Sequence, residues 1–486
     1  MTPDVVIIGS GMGGATLAAG LAVSGAEVLI LERGERIPDD APARDPDRVF
    51  KNSAFRAPEA WYDGEGRQFT PGNYYQVGGN SKLYGAVLIR YRVKDFETVE
   101  HSGGVSPAWP LSYETLAPFY DEAETLYQVR GDGTEDPTEP PRAAYPHPPV
   151  PDEPAIALVR ARVRGAGARP FSLPLGVDVE RWLAHGNTGW DGYPDQRCGK
   201  MDAETCGLAE ALRHDNVTLV TDATVTMLHA GGDGRIERVT YEKNGERHDV
   251  RPRCVAVCCG AVQSAALLLR SGLGNDEVGR CFMNHNASAL IAIDPRFENT
   301  SVYQKTFGIN DWYFGVDGGP PLGNCQLLGR VVPKILKANV PWLPMPLARW
   351  ISAHAVDLYA ISEDLPDRDS RVTVDGARIN LHWRRSNMGA HRALVAKVKE
   401  TFRAAGFPIV RSRLFDGRVP SHQCGTVRMG ADAASGAVDP EGRLWGHPNC
   451  YVMDAAALPT SAAVNPALTV AALSLRGART IAADLS

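Results

Sequence analysis

Gly9, Gly11 and Gly14, followed by Glu32 at the end of the next apolar run, have the types and spacing needed to hold a dinucleotide. In Gly9-Ser10-Gly11-Met12-Gly13-Gly14, Gly9 permits a tight turn, Gly11 lets the backbone beside Met12 approach a pyrophosphate, and Gly14 lets a helix pack closely on a strand. Glu32 can accept both hydroxyls of an adenosine ribose and would repel a ribose phosphate, which disfavours NADP. The elements that must position these residues are legible around them. Val5 to Ile8 is a β-branched run suited to a buried parallel strand, and residues 15–24 form a helix whose free N-terminal amides favour phosphate. Gly25 stops that helix, and Val28 to Leu31 is the second strand. The motif alone does not separate FAD from NAD.

A chain of 486 residues with 44% hydrophobic content can bury a large core in two or three domains. The net charge of −6, with both signs scattered, shows no basic stripe for nucleic acid or acidic lipid, so the expected partner is a small molecule. No apolar run has the length of a membrane span, and no basic leader precedes the first strand, so a soluble, cytoplasmic protein without a membrane partner is expected. The nine cysteines lack zinc-site spacing; neither a metal site nor a disulfide is assigned, and Cys258 and Cys259 read as buried thiols.

Farther along, residues 35–56 are polar and proline-rich, a surface excursion. Gly78-Gly79-Asn80-Ser81 can bring backbone amides against a planar ligand, although a simple turn reads equally well. Ser112 opens a helix, and a loop from residue 187 leads into another capped near Asp202. Residues 216–228 and 237–241 read as short strands of a meander in a second sheet. The strand from Val255 ends at Cys259-Gly260, where a small residue lets the strand end sit close to a dinucleotide, and a helix follows from Gln263 to Arg270. Residues 288–415, with Trp312, Tyr313, Trp342, Trp350, Tyr359 and Trp383, read as a sheet-containing substrate domain. Their rings suit stacking on a sugar or aglycone face, or a core. Residues 333–350 read as a lid, a contact between copies in a homo-oligomer, or a buried irregular loop.

The chain resembles the glucose-methanol-choline (GMC) oxidoreductases over essentially its whole length. The resemblance rests on the glycine loop with Glu32, GGNS at 78–81, CGAVQSAALLLRSG at 259–272, HQCGT at 422–426, and Asp454 followed by NPALTVAALSLR. It implies an α/β fold with a Rossmann-type FAD-binding domain and a separate sheet-containing substrate domain. We expect residues 1–100, 187–285 and 421–486 in the first, and 101–186 and 286–420 in the second. It also implies oxidation of an alcohol by FAD, with oxygen or another acceptor taking the electrons. His422 would be the base, and Asn465, before Pro466, the second catalytic position. A neutral histidine can accept a hydroxyl proton, and an asparagine amide can hold the alcohol oxygen in line. Asn465 is also a good N-cap for a helix beginning at Pro466. By the same resemblance Gly79, Asn80 and Ser81 lie beside the flavin ring, Val225 near adenine, Asp454 near the ribityl chain, and Gly260, Asn465 and Pro466 against the cofactor. Lys82, Leu83 and Tyr84 stand where some relatives carry a flavin-linked histidine, so the FAD is expected to be non-covalent. GGNSKLYGAVL, GKMDAET and VGRCFMNHN resemble members related to pyranose 2-oxidase and C-glycoside 3-oxidase, which implies a sugar or glycoside ring hydroxyl as substrate. An aminoglycoside or other natural-product alcohol, and a non-redox lyase, are the alternatives.

Overall fold

In the computed structural model, residues 3–184, 192–415 and 422–486 are described. The expected loop from residue 187 and the domain limits at 187 and 421 lie outside them. A five-stranded parallel sheet runs in the order Cys450–Val452, Cys254–Val257, Val5–Ile8, Val28–Leu31, Val217–Val220. Val5–Ile8 is buried along its whole length, because both faces of the strand are covered. Val5 and Ile7 pack towards the helices Met12–Ala22 and Ala467–Leu485, while Val6 and Ile8 face the main core with Val255 and Val257. The two helices approach closely at Gly20, where an added Cβ would lie 2.7 Å from Ala478 Cβ.

The meander is present as Thr224–Ala230, Ile236–Lys243 and Glu246–Val250. Val217–Val220 was expected in it but joins the parallel sheet instead, registered against Val28–Leu31. Asp222, at φ 53°, turns the chain between the two sheets. A third, six-stranded sheet has the order Ile409–Leu414, Asn286–Ile293, Ala355–Ser362, Asn324–Leu327, Phe307–Ile309, Pro170–Ser172. Leu290, Val356 and Leu358 of this sheet pack on Leu394, Val398 and Phe402 of the helix Met388–Ala404. A four-stranded sheet pairs Arg378–His382 with Trp61–Asp63, joining distant parts of the chain.

Helix starts follow the local chemistry. Ser112 Oγ accepts the Thr115 amide at 3.3 Å, capping Tyr113–Leu126, and Asp202 Oδ1 accepts the amides of Glu204 and Thr205. Residues 333–350 are not a buried irregular loop; they hold the short helix Pro333–Asn339, a turn at 340–344, and the start of the helix Met345–Ala353.

Candidate active site

The carboxyl ends of Val5–Ile8, Val28–Leu31 and Cys254–Val257 open onto a cavity of about 1420 Å³ that reaches the six-stranded sheet. Glu32 and the strand end at Val225 lie on its wall, as do Gly9, Gly11 and Met12, Gly79 to Ser81, Gly260, Asp454, His422, Asn465 and Pro466. Gly14 does not. An added Cβ there would lie 2.0 Å from the Gly9 carbonyl oxygen, so Gly14 serves the packing of helix on turn. Gly13 is constrained similarly, with 1.9 Å to the Met453 oxygen.

Gly11 differs from both. Its φ of −69° suits any L-residue, and an added Cβ would meet no protein atom closer than Gly79 Cα at 4.0 Å. Protein packing therefore does not require a glycine here, and the space in front of it suits a pyrophosphate. Glu32 Oε2 accepts from Ser10 N at 2.8 Å and Ser10 Oγ at 2.7 Å, and Oε1 accepts from Gly34 N at 2.9 Å. A carboxylate has about four lone-pair sites. Glu32 thus keeps room for one ribose hydroxyl, where the sequence reading expected two. Burial raises its pKa, against the pull of these bonds.

The glycine loop and the 78–81 loop touch. Gly78 N donates to Ser10 Oγ at 3.2 Å, and a Cβ on Gly79 would come within 3.1 Å of Gly11 Cα. Behind them Lys82, fully buried, pairs with Asp202 at 3.0 Å and Glu204 at 2.7 Å, so its ammonium faces away from the cavity. Asp454 Oδ2 accepts from Gly260 N at 2.8 Å and Ser264 Oγ at 2.5 Å, and Oδ1 from Ala456 N at 2.7 Å. It clamps the start of the helix Ala261–Arg270 to the turn beyond Val452.

At the far end the backbone of His422 is fixed by Asn284, whose Oδ1 accepts the His422 amide at 3.2 Å, and by an antiparallel bridge between Met283 and Cys424. The His422 ring lies between two partners: His285 Nδ1 is 2.8 Å from His422 Nδ1, and Asn465 Nδ2 is 3.3 Å from His422 Nε2. His285 Nε2 is 2.8 Å from the Ser461 carbonyl oxygen. Assigning hydrogens from these contacts gives one consistent pattern. A carbonyl only accepts, so the neutral His285 ring carries its hydrogen on Nε2 and its Nδ1 is bare. His422 then donates from Nδ1, and its Nε2 lone pair faces Asn465 and the cavity. Burial first, then Lys305, lowers the His422 pKa well below 6.5, and the ring is neutral near pH 7.

Asn465 does not cap the following helix. That helix begins at Ala467 with Pro466 at its N-cap, and the Asn465 side chain is turned to His422 with its buried Oδ1 unpartnered among the described residues. Of the six aromatic residues singled out for stacking, Tyr359 alone lines the cavity. Trp312 and Tyr313 are core, Trp383 is tied to Asp364, and Trp342 and Trp350 are exposed. Sequence reasoning missed His285, Lys305, Gln326 and Phe415. The one local signal was a polar Asn284-His285-Asn286 step immediately before an apolar strand.

Residues 4–287 match the N-terminal family model of GMC oxidoreductase, and residues 366–474 the C-terminal one. The chain is 29% identical over 525 residues to 6'''-hydroxyparomomycin C oxidase of Streptomyces lividus, covering 99% of this chain and 92% of that one. It is 29% identical over 535 residues to C-glycoside 3-oxidase of Microbacterium trichothecenolyticum, covering 99% and 97%. The solved pyridoxine 4-oxidase from Mesorbium loti shares the fold, with a TM-score of 0.68 at 19% identity over 99% of both chains.

Proposed function

The chain belongs to the GMC oxidoreductases, FAD-dependent enzymes acting on alcohol carbons, and from that premise we propose that it oxidises a secondary ring hydroxyl of a sugar or glycoside to the ketone. The observation that carries this reading is the pair His422 and Asn465 on the cavity wall, with His285 behind His422. His422 Nε2 takes the hydroxyl proton as the carbon is oxidised. Nε2 has a single lone pair, so the substrate hydroxyl takes it over from Asn465 Nδ2, whose hydrogens then hold the alcohol oxygen and stabilise its developing negative charge. Bound FAD supplies the acceptor for the hydride. Of the residues lining the cavity, Gly9, Gly11 and Met12 would hold its pyrophosphate, Glu32 one ribose hydroxyl and Val225 the adenine, with Gly79 to Ser81, Gly260, Asp454 and Pro466 along the rest.

The FAD is held without a covalent bond. Lys82 is committed to its ion pairs, and the Tyr84 hydroxyl donates to the Met201 carbonyl. Acid precipitation should leave the yellow colour in solution; colour in the pellet would contradict this. Residues 1–100, 187–285 and 421–486 form the FAD-binding part and the remainder the substrate part. Supporting this division, the parallel sheet draws its strands from residues 5–31, 217–257 and 450–452.

The test is an anaerobic absorbance titration of the purified protein against free sugars, C- and O-glycosides, aminoglycosides and simple alcohols. Bleaching by glycosides is expected. Bleaching by aminoglycosides alone would favour a second reading, supported by the similarity to 6'''-hydroxyparomomycin C oxidase. No bleaching by any of them would remove the alcohol-oxidising reading.

A further inference from the structure

The two short helices Pro333–Asn339 and Met345–Ala353 form a hairpin beside one wall of the cavity. Leu328, five residues before it, lines that wall, as does Phe415, which follows the edge strand Ile409–Leu414. Arg413 donates to the Asn339 carbonyl at 3.1 Å and ties the edge strand to the hairpin.

The hairpin has two opposed faces. Ile335, Leu343 and Ala348 are buried against the body of the protein. On the outside, Trp342 at the turn is 81% exposed, and Leu347 and Trp350 are exposed on the second helix, with Leu414 exposed on the edge strand. These outer side chains are not core residues in excess, because the inner face already supplies the packing.

Charge distinguishes the candidate occupants. Across residues 333–353 there are three cations, Lys334, Lys337 and Arg349, and no carboxylate, in a chain whose net charge is −6. Arg411 and Arg413 stand on the adjoining strand. Among the described residues, only Lys334 of these five cations meets a carboxylate, Asp47 at 3.5 Å. Lys337 instead donates to the carbonyls of Pro341 and Leu343, which holds the turn carrying Trp342 and keeps an ammonium beside it. A second copy meeting this face across a twofold axis would set these cations against their own duplicates, at a cost. Exposed indoles and leucine ringed by cations, four of the five facing no carboxylate among the described residues, instead match the interface of a lipid layer with anionic headgroups, where the indoles sit at headgroup depth and each cation adds attraction.

We propose that this hairpin docks the protein reversibly on an anionic lipid surface. The inference is independent of the substrate reading. The test is flotation of the purified holoprotein with vesicles of phosphatidylcholine alone and of equimolar phosphatidylcholine and phosphatidylglycerol. Binding is expected to the second only, and to weaken in high salt. Lys337→Ala and Arg349→Ala should each weaken it about fivefold, and Trp342→Ala should weaken it at unchanged flavin content and unchanged flavin reduction by substrate. Failure to bind the anionic vesicles, or equal binding to both kinds, would overturn the proposal. So would a concentration-dependent dimer that Trp342→Ala dissociates, which would assign the face to a second copy.

Discussion

Because the carbonyl of Ser461 can only accept, it keeps the hydrogen of His285 on Nε2, and the consequence passes through His285 Nδ1 to leave His422 Nε2 bare. His285 is therefore a positioning residue: it selects the tautomer of the base without bordering the cavity. His422→Ala should retain FAD and slow reductive turnover by about two or more orders of magnitude, measured by anaerobic stopped flow. His285→Leu removes the acceptor, and reduction should slow about tenfold or more. A protonated His422 would donate to that acceptor more strongly than the neutral ring does, so its loss should move the acid limb of the rate profile down. A slowed variant with an unmoved limb would give His285 only a packing role. His422 was legible through its neighbours in HQCGT, whereas His285 was not. Its meaning lies in a contact with a residue 137 positions away and with a backbone oxygen that no side-chain pattern records.

Among the elements, the turn from Val5–Ile8 into Met12–Ala22 separates two demands that sequence alone merges. Gly13→Ala drives a methyl into the Met453 carbonyl and should yield unstable or insoluble protein, because overpacking of this kind costs about 1–3 kcal/mol or more. Gly11→Ala has room and an allowed backbone, so the protein should fold and melt like the apoprotein but purify with little flavin. Equal flavin content in Gly11→Ala and the parent would mean that the pyrophosphate lies elsewhere. The strand-turn-helix unit was legible because every residue in it answers a local requirement. Val217–Val220 was misplaced because alternation of apolar residues says that a strand is half-buried, not which sheet it joins. The aromatic residues failed for a similar reason: ring type sets burial, and only the assembled sheets decide whether a ring faces a cavity, a core or water.

At the scale of the whole molecule, three buried histidines, His285, His391 and His422, resist protonation. His391, held between Ser288 and Ser362, is lowered by burial from 6.5 to about 4. In the unfolded chain it binds a proton near 6.5, whereas the folded chain binds it only near 4. Falling pH therefore favours unfolding across that window, by up to about 3 kcal/mol from this residue. Urea unfolding of the parent and of His391→Gln should show the parent losing more stability between neutral pH and pH 4. Parallel losses would detach His391 from the acid limb. The division into a parallel nucleotide-side sheet and a separate antiparallel sheet was legible from motif order, since βαβ units and strand-rich stretches leave different patterns. The pairing of Trp61–Asp63 with Arg378–His382 was not, because nothing local marks a contact between such distant segments.

The central strand of the parallel sheet also constrains how the protein is made. Val5–Ile8 is synthesised before one neighbour, Cys254–Val257, and that in turn before the strand beyond it, Cys450–Val452, so the sheet cannot close until both have followed. At about 5–20 residues per second, that apolar strand waits tens of seconds for its sheet to close. Throughout that time its upper edge and the helix after it are exposed to wrong partners. Yield on heterologous expression should therefore respond to protection of the nascent first strand-turn-helix unit, through slower growth, lower temperature or chaperone supply.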